Sequence, residues 1–300
     1  MKKIKNYLKL MRIKHYLKNG LIFLPLIFSG EITNVNKLLG GFIAFICFSI
    51  FASVIYIIND IKDVEKDRQH EVKRNRPIAS GAVKVKEAIV LAIFLVILST
   101  SIHFMYFGIK NISFIFILAY VFINILYNMG LKHVPLIDVV ILVAGFLIRV
   151  MYGGSVNNIE VSNWLYLTVM TGSFYLGFGK RRNEIIKLGN NGRKVLQYYT
   201  KEFLDKNMYM CQALSIVFYS LWCTTQDNQL LVYSVPFVLV ILMKYALNIE
   251  KESFGDPVDV VYGDKWLLVL IALYGIFMFG VLYFEKITTI LHLWFWWYNL

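Results

Sequence analysis

Charge, cysteine and histidine are all scarce in this 300-residue chain, and each scarcity removes a class of protein. Only 17% of the residues are charged while 58% are hydrophobic, which excludes an ordinary soluble domain. The three cysteines, Cys47, Cys211 and Cys223, lie inside apolar runs and show no metal-ligand spacing, so neither a disulfide scaffold nor a zinc site is indicated. The five histidines, His15, His70, His103, His133 and His292, show no ligand spacing either. No Ser/His/Asp or Cys/His arrangement for a nucleophile is legible. A cleavable signal peptide is not expected: the first 18 residues hold seven Lys/Arg, but the next apolar stretch contains Pro25 and no small-residue cleavage site. Acidic residues number 19 against 31 basic ones, a net charge of +12. In a soluble protein that excess would suggest nucleic acid. In so hydrophobic a chain it reflects membrane topology and anionic lipid phosphates, and no nucleic-acid partner is expected.

What the chain has in quantity is long apolar runs. They predict an all-α integral membrane protein, because only helices satisfy their own backbone hydrogen bonds in lipid without closing a barrel. Nine spans are expected, at about 20–30, 38–60, 86–109, 111–130, 138–156, 163–182, 205–225, 229–248 and 266–284. Residues 1–18 read as a basic amphipathic segment lying on the bilayer, 19–285 as the membrane domain and 286–300 as an aromatic tail. With the N-terminus in the cytoplasm, 27 of the 31 basic residues fall on that side, as the positive-inside rule requires. Most acidic residues gather there too, although they contribute little to that rule. A site on the cytoplasmic face of the cell membrane explains their presence better.

The stretch that best defines such a site begins where the uncharged run Leu38 to Ile58 stops. On a helix continuing past Ile58, Asn59, Asp60, Asp63 and Asp67 recur at three- and four-residue spacing and share one face. Stacked carboxylates repel unless they share a cation. Oxygen ligands without Cys or His suit Mg²⁺, held by Asp60, Asp63 and Asp67 together with the phosphates of a substrate. The alternative is a solvated helix end of mixed charge. Lys73, Arg74 and Arg76 follow closely, placed to neutralise a polyphosphate.

Three further groups carry charge where charge is costly or concentrated. Lys180, Arg181 and Glu184 stand at the end of the sixth span, either as phosphate ligands with a metal-sharing or hydroxyl-binding acid, or as a topology signal. Lys18 and Asn19 stand where the chain enters the bilayer, a place to hold a lipid phosphate or simply to anchor the segment. Arg149 lies at membrane depth in the fifth span and should face an acid or a substrate phosphate. Asp256, Asp259 and Asp264 form a last acidic patch without a recognisable metal pattern.

Taken together, Asn59-Asp60-x-x-Asp63-x-x-x-Asp67 at a helix end within nine spans resembles the UbiA-type prenyltransferase superfamily. Nearly the whole chain, about residues 10–285, is similar to its decaprenyl-phosphate phosphoribosyltransferase branch. The features are Lys18-Asn19, Tyr56-x-x-Asn59-Asp60, Lys73-Arg74-x-Arg76-Pro77-Ile78-Ala79-x-Gly81, Gly130-Leu131-Lys132-His133 and Leu147-Ile148-Arg149. Ser162-x-Trp164, Gly179-Lys180-Arg181-x-x-Glu184 and Tyr199-Thr200 complete them. Tyr127 and Lys132 are further substrate-binding candidates, Lys132 through the resemblance carried by Gly130-Leu131-Lys132-His133. The resemblance implies a UbiA-like bundle, phosphoribosyl diphosphate (PRPP) as donor, a polyprenyl phosphate as acceptor, and Asn59, Asp60, Asp63 and Asp67 as the catalytic group. Quinone- and haem-type relatives carry a second Asp-rich motif in the sixth-helix region, where this chain has Lys180-Arg181-Arg182-Asn183-Glu184. That departure argues against the first alternative, an aromatic prenyltransferase fed by a polyprenyl diphosphate. A second alternative, a carrier or flippase for lipid phosphates, leaves the carboxylate motif unexplained. Carrier chain length and oligomeric state are not legible.

Overall fold

The computed structural model describes residues 2–188, 193–250 and 257–298, and their regular structure is helical throughout. The chain divides into two compact units, Met1–Leu131 with Gly145–Val161 and Lys132–Ala144 with Ser162–Leu300. Sequence alone reads residues 19–285 as one domain.

The first unit is built on helix α3, Val35–Lys62, counting Lys2–Met11 as α1 and Leu24–Phe28 as α2. The Asn34 side chain starts α3 by accepting the amides of Asn36 and Lys37. Its apolar body packs against α5, Val85–Phe107, and α6, Phe114–Met129, with the short α4, Val64–Gln69, between α3 and α5 in sequence. Phe48, Phe51, Ile55, Ile117, Tyr120 and Tyr152 form one core cluster; Leu10, Val54, Ile57, Ile78 and Leu95 form another. Leu10 is fully buried and pins α1, while Lys3, Lys5 and Lys9 stay exposed.

The expected first span is corrected. Instead of one membrane helix, residues Ile13–Phe23 form a 3₁₀ segment that runs into the five-residue α2. Pro25, lacking an amide hydrogen, sits in the first turn of α2, where none is needed. This segment lies hard against helix α7, Ile137–Val156: a Cβ on Gly153 would stand 1.9 Å from the carbonyl oxygen of Ile22. Only a residue without a side chain permits that approach.

The second unit contains the start of α7 and the helices α8, Asn163–Leu188, and α9, Lys201–Thr224, which pack along one another. Ser215 donates to Thr171 at 2.9 Å across that pair. Beyond them come α10, Val235–Glu250, α11, Pro257–Gly263, and α12, Lys265–Tyr298. Backbone helix therefore continues through most of the expected aromatic tail.

Among the described residues, five helical stretches are long and apolar enough to cross a membrane: Val35–Lys62, Val85–Phe107, Ile137–Val156, Gln229–Glu250 and Lys265–Phe284. Helix α6 is apolar but has only 16 residues, about 24 Å at 1.5 Å per residue. Helices α8 and α9 coincide with the expected sixth and seventh spans, but Lys180–Glu184 and Lys201–Lys206 charge their ends.

Candidate active site

Asp60 closes the last turn of α3, and the chain then breaks at Asp63, which has φ −93° and ψ 9°. This corrects the single straight carboxylate face read from the spacing. Asp63 caps the break and is half-buried, while Asp67 comes from the separate helix α4. The break relieves the like-charge stacking that a continuous helix would impose, and it turns Asp67 inward. Asp60 and Asp67 are each only 3% exposed. Both reach one nitrogen of Arg76: Nη1 donates to Asp60 Oδ1 at 3.1 Å and to Asp67 Oδ2 at 2.7 Å. Arg12, not identified from the sequence as a site residue, donates to the same Asp60 Oδ1 at 2.5 Å. Two buried carboxylates thus converge on one point, held by two guanidinium groups.

Asn59 is fixed beside them. Its side-chain oxygen accepts from Asn128 Nδ2, and the Asn128 carbonyl accepts from Lys62 at 2.7 Å. Sequence reasoning missed Asn128, although Asn124 and Asn128 at four-residue spacing in an apolar helix were a signal. Lys73 and Arg74 are exposed on the loop after α4, and Tyr127 and Lys132 are half-buried.

The donor set, oxygen only, fits a hard divalent cation. The place between Asp60 and Asp67 already holds positive charge, and two carboxylates with waters and substrate phosphates are a usual Mg²⁺ environment. Among the described residues no three Asp, Glu, His or Cys side chains converge as a ready cage. The chain therefore supplies part of a coordination shell and leaves the rest to ligand and solvent.

Arg149 has partners of another kind than expected. It donates to Asn19 Oδ1 at 2.7 Å, to the Gly145 carbonyl at 2.6 Å and to Tyr120 Oη at 3.3 Å. Its guanidinium also lies 4.9 Å from the ring centres of Phe48 and Tyr120. No carboxylate reaches it among the described residues. Neutral dipoles and aromatic faces carry this buried cation, and through Asn19 it positions the segment that bears Lys18. Lys18 itself is half-buried.

In the second unit, Arg181 is fully buried and donates to Asp138 at 2.5 Å and Glu184 at 2.8 Å. Tyr199 donates to Asp138 at 2.7 Å and accepts the Leu136 amide at 2.6 Å. Burial, followed by the Asp138 hydrogen bond, pushes the Tyr199 hydroxyl up to about 12, so it stays a donor. Arg182 is tied to Asp205 and to the Ile249 carbonyl. Lys180 is half-buried. Arg181 and Glu184, expected as substrate ligands, thus act first on each other and on Asp138. Exchanging Asp138 for asparagine should lower stability by about 3 kcal/mol, because it halves the charge compensation of a buried guanidinium; unfolding in detergent measures this. Asp264 pairs with Lys244 at 2.8 Å, a contact that pulls its carboxyl down to about 2. Asp259 lies on α11 and Asp256 lies outside the described residues.

Comparison with known proteins sets these residues in a family. A decaprenyl-phosphate phosphoribosyltransferase of Corynebacterium glutamicum is 34% identical over 276 residues, covering 88% of this chain and 82% of the relative. One from Mycolicibacterium smegmatis is 32% identical over 287 residues, 89% of each. A solved UbiA homologue from Archaeoglobus fulgidus, bound to GPP and Mg²⁺, superimposes with a TM-score of 0.69 at 19% identity, over 92% of this chain and 99% of that one. The profile of the UbiA prenyltransferase family matches residues 22–258. With apolar helices of spanning length and a match over most of its length, the chain is an integral membrane protein of the UbiA prenyltransferase family.

Proposed function

We propose that this protein transfers the 5-phosphoribosyl group of PRPP to a polyprenyl phosphate at the cytoplasmic membrane face and releases pyrophosphate. One observation carries the reading: two buried carboxylates and two guanidinium groups converge at the end of α3, a mixed-sign site suited to a metal-bound diphosphate. The names of the relatives supply the substrate classes.

In this reading Asp60 and Asp67, with Asp63 at the helix break, hold Mg²⁺. The ion would supply charge neutralisation for a leaving diphosphate. Arg76, Lys73 and Arg74 bind donor phosphate oxygens, and Asn59, locked by Asn128, orients the donor. The acceptor's phosphate is ionised at neutral pH and attacks the anomeric carbon directly. A new C–O bond forms to the lipid phosphate oxygen as the C–O bond to the diphosphate breaks, with inversion. No general base is needed. Lys180 and Arg181 with Glu184 maintain the second charged segment, and Tyr127 and Lys132 remain substrate-binding candidates.

A polyprenyl tail stays in the bilayer, since exposing it would cost roughly 0.8 kcal/mol per CH₂. Its phosphate therefore meets the donor at the interface, where Lys18 enters the membrane. Lys18→Ala should raise the KM for polyprenyl phosphate about tenfold and leave that for PRPP within about twofold. Equal losses would make Lys18 an anchor only. The reaction itself is tested with detergent-purified protein, Mg²⁺, PRPP and polyprenyl phosphate. Product should form in the lipid phase, and none should form from an isoprenyl diphosphate and an aromatic acid. The reverse pattern would establish a prenyltransferase instead.

A further inference from the structure

Arg12 occupies an unusual position for an arginine. Its backbone has φ 54° and ψ 48°, the left-handed region that a residue with a Cβ rarely adopts, at the joint between α1 and the 3₁₀ segment. Its guanidinium lies 4.7 Å from the ring centre of Tyr56 and donates to Asp60 Oδ1, one helical turn further along α3. Around this joint, Ser53 donates to the Met11 carbonyl at 2.8 Å and Lys9 to the Asn75 carbonyl at 2.9 Å. The surrounding contacts over-determine the strained joint, so the strain serves to aim one side chain at one carboxylate oxygen.

That oxygen is shared. Asp60 Oδ1 accepts from Arg12 and from Arg76, while Arg76 alone also reaches Asp67. Two negative and two positive side chains balance at this point. If Asp60 holds a divalent cation, Arg12 and Arg76 would have to share its carboxylate with that ion. Of the two, Arg76 retains a second carboxylate. Arg12 has none among its described contacts, so it is the one that gives up a single carboxylate on turning away. A guanidinium fork displaced by a metal next to a diphosphate finds a bidentate partner in the phosphate oxygens.

We propose that Arg12 is a donor-binding residue that holds Asp60 against the cation until a diphosphate is present, then passes from the carboxylate to the diphosphate. Metal and donor would then load as a pair. This rests on the reading of the Asp60–Asp67 pair as a metal–diphosphate site, and it adds a residue and an order of loading to that reading.

The test measures binding rather than turnover. Mn²⁺ affinity of the purified full-length protein is read by electron paramagnetic resonance, without and with pyrophosphate; pyrophosphate affinity in Mn²⁺ is read by calorimetry. Arg12→Ala should tighten Mn²⁺ binding in the absence of pyrophosphate about fivefold and weaken pyrophosphate binding about tenfold. Arg12→Lys, which keeps the charge and loses the fork, should leave Mn²⁺ binding near wild type and weaken pyrophosphate binding about threefold. Opposite shifts in the two affinities are not produced by a merely structural arginine. Unchanged affinities in the alanine variant, or a joint weakening of both while the lysine variant behaves as wild type, would overturn the role of Arg12 and leave the site assignment standing. Wild-type protein that binds neither Mn²⁺ nor pyrophosphate would overturn both.

Discussion

Replacing Gly153 by alanine should cost the protein about 3 kcal/mol or more and sharply reduce the amount recovered folded from membranes. The added Cβ would meet the Ile22 carbonyl oxygen at 1.9 Å, with the carbonyl carbon and Cα of Ile22 at 2.7 and 2.9 Å. Those are backbone atoms, so no side chain can swing aside, and relief requires the 3₁₀ segment to lift from α7. Overpacking in a well-filled interior usually costs 1–3 kcal/mol, and a backbone clash belongs at or above the top of that range. Lifting the segment would also part Asn19 from Arg149, leaving a buried guanidinium short of an acceptor. The contrast is Gly275→Ala in α12, where nothing lies within 4 Å of the new Cβ; higher helix propensity should there stabilise slightly. Thermal unfolding of the two variants in one detergent decides the matter. Equal melting temperatures would show that the 3₁₀ segment is not tightly docked.

The second large effect concerns catalysis. Asp60→Asn keeps the shape of the side chain and its buried place, and removes the charge that both guanidinium groups and the proposed Mg²⁺ share. Turnover should fall about 10²- to 10³-fold, the scale seen when one preorganised electrostatic group is removed from an active site. Melting should change less than for Asp138→Asn, because Arg12 and Arg76 are partly exposed and water takes up their charge, whereas Arg181 is fully buried. Raising Mg²⁺ concentration should restore little. Asp67→Asn should lose less, since Asp67 meets Arg76 but not Arg12. Near-normal turnover by Asp60→Asn would remove the metal assignment.

How much of this was legible beforehand depends on the physics of each element. The apolar runs announced the helical membrane class, because twenty uncharged residues leave the backbone few alternatives. The acidic motif and its basic neighbours were legible as a charged site from spacing alone. The break at Asp63 was not: helical periodicity fits four of the motif's positions, and nothing local forbids one straight helix. The 3₁₀ form of residues 13–23 was hidden too, since Gly153, more than 100 residues away, is what makes room for it. Arg149 was expected to meet an acid or a substrate phosphate, and its described protein partners are neutral. Those partners were not legible because aromatic faces and a backbone carbonyl leave no trace in charge patterning. Arg181 shows the opposite difficulty, as its partner Asp138 stands 43 residues earlier and nothing in the local Lys-Arg-Arg run points to it.

The central claim is that a phosphoribosyl group, and not an isoprenyl group, moves. The most direct measurement uses two preparations of PRPP, one carrying ³²P in the 5-phosphate and one in the diphosphate, each incubated with purified protein, polyprenyl phosphate and Mg²⁺ and then partitioned into butanol. The proposed reaction predicts label in the butanol phase from the first and in aqueous pyrophosphate from the second, both lost on chelation of the metal. Label from the diphosphate appearing in lipid, or no lipid label from either preparation by active, folded protein, would contradict it.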